Sequence, residues 1–118
     1  MKFLIVDDSK VSRNKISKYI KELGHESVAE AGNGLEALHL SNELSPDIII
    51  MDLEMPVMNG ADATKEIIAS NKNVNIVIVT STISKKDKVT VLQNGAKIIL
   101  EKPIAYDDFK NAIQELME

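Results

Sequence analysis

The chain has 118 residues, of which 44% are hydrophobic and 27% charged, and this balance is typical of one folded domain and argues against disorder. A formal net charge of -4 argues against nucleic acid or an anionic membrane as the main partner, and the absence of cysteine excludes disulfides, thiolate metal sites and a cysteine nucleophile. No apolar run approaches the ~20 residues of a membrane span, so we expect a single cytoplasmic domain over residues 1–118.

Five predicted strands alternate with five predicted helices along the chain. In order, the strands are FLIV (3–6), ESVAEA (26–31), IIIM (48–51), IVIV (76–79) and IIL (98–100). All but the second are continuous apolar runs, which is typical of strands covered on both faces of a parallel sheet, whereas the mixed polarity of the second suits an edge. The intervening segments have helical periodicity, as where Phe109, Ala112 and Ile113 recur before the end of the chain. The alternation predicts an α/β doubly wound (βα)5 fold.

Polar residues follow the predicted strands at their carboxyl ends. Asp7 and Asp8 follow the first strand, Asp52 the third, Thr80 the fourth and Lys102 lies just after the fifth. In open α/β sheets, ligands bind at this edge where the strand order reverses, which lies between strands 1 and 3 if the order is 2-1-3-4-5. The sequence therefore predicts that these five side chains converge.

Three converging carboxylates repel one another unless they are protonated or neutralised. Their all-oxygen donor set favours Mg²⁺, or alternatively Mn²⁺, over Zn²⁺. Mg²⁺ typically takes one or two carboxylates plus a phosphate oxygen, which indicates a site for a phosphoryl group. Asp52 is the candidate nucleophile for an acyl phosphate, with Asp7 and Asp8 holding the metal and Lys102 and Thr80 contacting phosphoryl oxygens.

Each of these residues also has an ordinary structural interpretation. Asp8 and Ser9 together are an adequate N-cap for the first helix, and taken alone this explanation is at least as good as metal binding. Asp52 could be a loop residue and Lys102 a solvated tip. The convergence of all five on one sheet edge is what favours a functional site.

The motifs LIVDDS, DIIIMDLEMPVMNG, IVTST and EKP occur in order and at the spacing of a known family. The chain resembles the receiver domains of bacterial two-component response regulators, including stand-alone chemotaxis regulators of the CheY type. The resemblance implies that Asp52 accepts phosphate from the phosphohistidine of a sensor histidine kinase. It also implies that the backbone carbonyl of Glu54 joins Asp7, Asp8 and Asp52 around Mg²⁺.

The resemblance implies further features of the switch. Thr80 is then the switch hydroxyl and Lys102 the phosphate-binding lysine, with a cis peptide bond before Pro103. Output passes to a protein partner through the fourth helix, fifth strand and fifth helix, with a phosphatase as a possible further partner and no direct contact with nucleic acid or membrane. Such a domain is a phosphoacceptor and not an enzyme that turns over a substrate.

Two departures from the family pattern stand out. The family usually has Tyr or Phe three residues before the strand-5 lysine, where this chain has Ile99, so we expect a weakened coupling between Thr80 and that position. Glu54 and Thr82 occupy the two positions that tune access of water to the acyl phosphate in this family. We therefore expect the substitution Glu54→Ala to change the lifetime of phosphorylated Asp52.

Two other functions fit parts of the pattern. A phosphatase of the haloacid dehalogenase type also uses an aspartyl nucleophile with Thr or Ser and Lys, but it needs D-x-D-x-T where this chain has DLEMP. A flavodoxin-like FMN carrier would need a hydroxyl- and glycine-rich loop after the first strand, where this chain has the acidic DDSKVSR. The sequence favours the phosphoacceptor over both.

Overall fold

The computed structural model describes residues 1–81 and 83–118, which form five strands alternating with five helices. The strands are β1 (Lys2–Val6), β2 (Glu26–Ala31), β3 (Ile48–Asp52), β4 (Asn75–Thr80) and β5 (Ile98–Glu101). The helices are α1 (Lys10–Glu22), α2 (Gly34–Leu44), α3 (Gly60–Ser70), α4 (Lys85–Gln93) and α5 (Tyr106–Met117). The predicted alternation is confirmed, including the weaker candidate β2.

The sheet is entirely parallel, in the order β2-β1-β3-β4-β5, which confirms the predicted doubly wound fold. Strands β3, β4 and β5 run one residue further than the apolar runs predict, because Asp52 still pairs with Val79, and Thr80 with Glu101. Strands β1 and β3 are neighbours although β2 separates them in sequence. The order of connection therefore reverses between β1 and β3, which puts the cleft of a doubly wound sheet beside them.

Alternate residues of the central strands enter two separate cores, one on each face of the sheet. One core contains Leu4, Ile49 and Ile76 and is covered by side chains of α2, α3 and α4. The other contains Phe3, Ile48 and Val77 and is covered by side chains of α1 and α5, among them Ile20 and Phe109. The continuous apolar runs are explained by this burial on both faces.

Four of the five helices begin with a side chain that caps their backbone. The caps are Ser9 for α1, Asn33 for α2, Asn59 for α3 and Ser84 for α4, each accepting a hydrogen bond from the backbone N–H three residues on. Helix α5 begins after Ala105, which has no side chain that can cap it. None of the helices in the described part of the chain combines the length and apolarity needed to cross a membrane.

Candidate functional site

Three carboxylates meet at the carboxyl edge of the sheet. Strands β1 and β3 pair directly, with Val6 opposite Met51, so the next residues of the chain, Asp7 and Asp52, lie side by side. Asp7, Asp8 and Asp52 each offer a carboxylate oxygen, and these oxygens lie within 4.8 Å of one another. Asp7 and Asp52 are buried, with 6% and 9% of their surface exposed, whereas Asp8 is exposed. The predicted convergence of these carboxylates is therefore present in the structure.

Lys102 reaches this cluster from the end of β5. Its Nζ lies 2.7 Å from Oδ2 of Asp7 and 3.5 Å from Oδ2 of Asp52. The backbone N–H of Lys102 also donates to the carbonyl of Thr80 at 2.8 Å, which joins the ends of β4 and β5. One ammonium thus faces the two buried carboxylates, and the cluster keeps an excess of negative charge.

Each buried carboxylate has one oxygen held by the backbone and the other turned towards Lys102. Oδ1 of Asp7 accepts from the backbone N–H of Ser9 at 2.8 Å, and Oδ1 of Asp52 accepts from the N–H of Leu53 at 2.8 Å. The Oδ2 atoms are those nearest to the ammonium of Lys102. The carboxylates are therefore oriented by short, local hydrogen bonds before anything binds.

Burial and charge shift the pKa of two groups at the site. Burial raises the pKa of Asp52 and the negative charge of Asp7 adds to this effect, while the ammonium of Lys102 and the Leu53 N–H oppose it. For Lys102, burial lowers the pKa, but the hydrogen bond to Asp7 and the negative charge of Asp52 outweigh it, so its pKa is raised above the ordinary value. Lys102 is accordingly a stable cation at the site.

The loops that carry the carboxylates are shaped by short-range features. Ser9 caps α1 while its N–H donates to Asp7, so the capping interpretation is confirmed for Ser9, whereas Asp8 lies in the carboxylate cluster. After β3, the N–H of Gly60 donates to the carbonyl of Leu53 at 2.8 Å. A side chain at Gly60 would clash with the Asp52 carbonyl and lie 2.9 Å from Cα of Leu53. Only glycine allows α3 to start so close to the end of β3.

The donor set fits a hard divalent cation. All three residues offer carboxylate oxygen, and Asp8 leaves one side of the cluster accessible to solvent. Neither histidine belongs to the cluster, and the chain contains no cysteine. Oxygen-only ligands and an open side are what Mg²⁺ or Mn²⁺ needs when part of its coordination is left for waters and a phosphate oxygen.

Comparison with known proteins identifies the family. The family model for the response regulator receiver domain matches residues 3–114. The chain belongs to this family. A chemotaxis protein CheY from Listeria monocytogenes is 34% identical over 115 residues, which cover 98% of this chain and 97% of that protein. Receiver domains are phosphoacceptor switches and not enzymes of the ordinary kind, so membership of this family agrees with the prediction of a phosphoacceptor.

Solved receiver structures share the fold. The response regulator domain of Thermotoga maritima CheB is 30% identical, with a TM-score of 0.87, and the match covers 99% of this chain and 96% of that one. CheY in a complex of CheX, CheY, beryllofluoride and magnesium from Borrelia burgdorferi has a TM-score of 0.96 at 22% identity, covering 100% of this chain and 90% of the other. The second likeness supports the fold alone.

The remaining residues predicted for the receiver site lie around this cluster. Thr80 is 1% exposed at the end of β4, and Glu54 follows Asp52 with an exposed side chain. The Lys102-Pro103 peptide bond is cis, as the family resemblance implies. Ile99 is partly buried against the core that contains Ile78, and the pairing of β4 with β5 puts it on the same face as Thr80. Thr82 lies outside the described residues.

Two receiver residues near the site were missed by sequence reasoning. Arg13 donates from a guanidinium nitrogen to the backbone carbonyl of Asp7 at 2.6 Å and from Nε to Glu30 at 2.9 Å. Ser12 has its hydroxyl 3.5 Å from Nζ of Lys102. The available signal was their position in the first turn of α1, directly after the capping Ser9. Glu30 in β2 and Lys102 after β5 are remote in sequence from these two residues, so local sequence does not reveal those contacts.

Proposed function

We propose that Asp52 accepts a phosphoryl group from the phosphohistidine of a sensor histidine kinase and that this changes how the domain binds a protein partner. The observation that carries the proposal is the arrangement of Asp52: it is buried, its Oδ1 is held by the Leu53 N–H, and its Oδ2 faces Lys102. In the transfer, a carboxylate oxygen of Asp52 forms a bond to phosphorus. The phosphorus–nitrogen bond breaks, and its electron pair remains on the imidazole of the donor.

The same proposal assigns the metal ligands. Asp7, Asp8 and Asp52, together with the backbone carbonyl of Glu54, would hold Mg²⁺, or Mn²⁺ in its place. When bound, the ion supplies neutralising charge to the phosphoryl oxygens. The clustering of the three carboxylates within 4.8 Å supports this assignment. Asp52 is thus both a ligand and the acceptor.

Lys102 and Thr80 would contact the phosphoryl group once it is on Asp52. The ammonium of Lys102 is already 3.5 Å from the acceptor carboxylate and 2.7 Å from Asp7, so a small movement brings it onto a phosphoryl oxygen. Thr80 ends the strand that pairs with β3, and its hydroxyl is the switch group. To move the domain from 1% to 99% active, these contacts must favour the active state by about 5.5 kcal/mol.

The output surface in this proposal is formed by α4, β5 and α5. Val89 and Leu92 of α4 are half exposed, and Ile98 and Ile99 of β5 are only partly buried. Exposed apolar residues beside charged ones suit a protein partner. We propose a cytoplasmic signalling role of the chemotaxis type, with a dephosphorylating protein as a further possible partner.

A titration with beryllofluoride and Mg²⁺, followed by NMR, tests the acceptor, the metal and the switch together. We expect saturable shifts in the wild-type protein at residues around Asp52, Thr80 and Lys102. The matched control is Asp52→Asn, which keeps the size of the side chain and removes the carboxylate, and we expect no saturable shifts with it. Absence of saturable binding to the wild-type protein would overturn the proposal.

A further inference from the structure

The loop that carries Lys102 lacks the local restraint found at the start of the other helices. It runs from Lys102 to Ala105, and Ala105 occupies the position at which a serine or asparagine caps each of α1 to α4. An alanine there leaves the first backbone N–H groups of α5 without a side-chain acceptor. Some other contact must therefore hold this loop in place.

Tyr19 of α1 makes that contact. Its hydroxyl donates to the backbone carbonyl of Ile104 at 2.8 Å, across 85 residues of sequence. Its ring packs against Tyr106 and Phe109 of α5, with ring centroids 5.3 Å and 5.7 Å apart. The chain has only four Tyr and Phe residues, and three of these four pack together beside this loop.

The two ends of the loop are thus tied to different elements. At its start, the N–H of Lys102 donates to the Thr80 carbonyl of β4 at 2.8 Å. At its end, the carbonyl of Ile104 accepts from Tyr19 of α1. The side chain of Lys102 leaves the loop between these two ties and reaches Asp7 and Asp52. Loss of either tie would widen the range of positions available to its ammonium.

We propose that Tyr19 is a positioning residue that holds the Lys102 loop so that the ammonium lies at the acceptor carboxylate. It does not touch the reacting atoms and acts through the backbone of residues 102–105. The inference rests on the proposed function in so far as Lys102 contacts the phosphoryl group. The tether itself is a separate structural property that can be measured without any ligand.

The substitution Tyr19→Phe removes the hydroxyl and keeps the ring. Tyr106→Phe is the matched control, because it makes the same change in the same aromatic cluster and no hydrogen bond of the Tyr106 hydroxyl is found among the described residues. We expect beryllofluoride in the presence of Mg²⁺ to bind about fivefold more weakly to the Tyr19→Phe protein, the size of effect of one hydrogen bond. We expect the Tyr106→Phe protein to bind as the wild type does.

Amide hydrogen exchange without ligand separates positioning from a general loss of stability. Positioning predicts faster exchange in the Tyr19→Phe protein at the hydrogen-bonded amides of Lys102 and Phe109, which donate to Thr80 and to Ala105, with the amides of β1 and β3 unchanged. If exchange instead accelerates throughout the core, or if the two variants bind beryllofluoride equally, the inference is wrong. If the wild type itself binds no beryllofluoride, the proposed function fails. The amide exchange of the Tyr19→Phe protein then still tests whether Tyr19 holds the loop.

Discussion

The acceptor Asp52 at the end of β3 and Lys102 in the loop between β5 and α5 face each other, but the loops that follow and carry them, here the acceptor loop (53–59) and the lysine loop (102–105), are held in different ways. The acceptor loop is shaped by its own residues: the Leu53 N–H holds Asp52, Asn59 caps α3, and Gly60 allows the helix to start against the end of the strand. The lysine loop has no cap at Ala105 and depends on Tyr19, which lies 85 residues away from the carbonyl it holds.

This difference separates a part of the site that is encoded locally from one that needs the folded protein. Local hydrogen bonds and the close backbone approach at Gly60 orient the acceptor carboxylate at the end of its own strand. The ammonium reaches its place only when α1, β4 and α5 are packed together. We therefore expect substitutions in the acceptor loop to displace the Asp52 carboxylate directly. Substitutions near the lysine loop should affect the site only as far as they make the position of the Lys102 ammonium less restricted.

The largest effect is expected from Gly60→Ala, which removes the close backbone approach that shapes the acceptor loop. The added carbon would clash with the backbone of Asp52 and Leu53, which cannot move away as a side-chain tip could. We expect a loss of about 3 kcal/mol or more in the free energy of unfolding, measured in urea. The matched control is Gly32→Ala, since a side chain there meets nothing within 4 Å. Equal losses in the two proteins would show that the close approach at Gly60 is unimportant.

The next effect concerns the charge of the acceptor. The pKa of Asp52 is raised in the folded protein, so between the ordinary carboxyl pKa and this raised pKa the folded protein binds more protons at Asp52 than the unfolded protein does. The free energy of unfolding therefore falls as the pH rises through this range. In metal-free buffer at neutral pH, we therefore expect Asp52→Asn to raise the free energy of unfolding.

The gain from Asp52→Asn should vanish at low pH, where the wild-type carboxyl is protonated in both states. Urea unfolding at pH values from neutral to below the ordinary carboxyl pKa measures this. Asp107→Asn is a suitable control, because Asp107 is exposed and lies outside the carboxylate cluster, so no such gain is expected from it. A gain for Asp52→Asn that does not depend on pH would contradict the electrostatic explanation.

A smaller effect is expected when the lysine loop is given the local restraint that it lacks. The backbone of Ala105 is extended, at φ -74° and ψ 148°, which is the conformation of a capping residue. We expect Ala105→Ser to stabilise the protein by about 1 kcal/mol in urea unfolding. Its effect should be larger in a Tyr19→Phe background, because the cap then replaces a missing tether. Ala105→Val, which adds a side chain without an acceptor, should give no such gain.

The smallest effect concerns how far the switch extends beyond the site. Ile99 of β5 and Thr80 of β4 lie on the same face of the sheet. An aromatic ring at position 99 would therefore be within reach of a movement of Thr80. We expect Ile99→Tyr to increase by about twofold the NMR shift changes that beryllofluoride induces in α4 and α5. Ile98→Tyr is the control, because Ile98 packs on the opposite face. Identical responses would show that Ile99 does not limit the coupling.

Much of the fold, and the meeting of three carboxylates with Lys102, could be predicted from the chain alone. The apolar runs marked the strands because burial on both faces of a parallel sheet requires uninterrupted apolar residues. Asp7, Asp8 and Asp52 could be expected together because the ends of parallel strands share one edge. The contact of Tyr19 could not be found in this way, since the carbonyl of Ile104 that accepts its hydrogen bond lies 85 residues further along the chain.

By itself, the sequence determined the order of strands and helices, the positions of the acidic residues at strand ends and the family of the protein, because these depend on hydrophobic periodicity and on short motifs. Only the tertiary structure decided which oxygen of each carboxylate faces Lys102 and what holds the lysine loop in place. The physical reason is that a hydrogen bond acts over about 3 Å, and such distances between remote segments exist only after the helices have packed on the sheet.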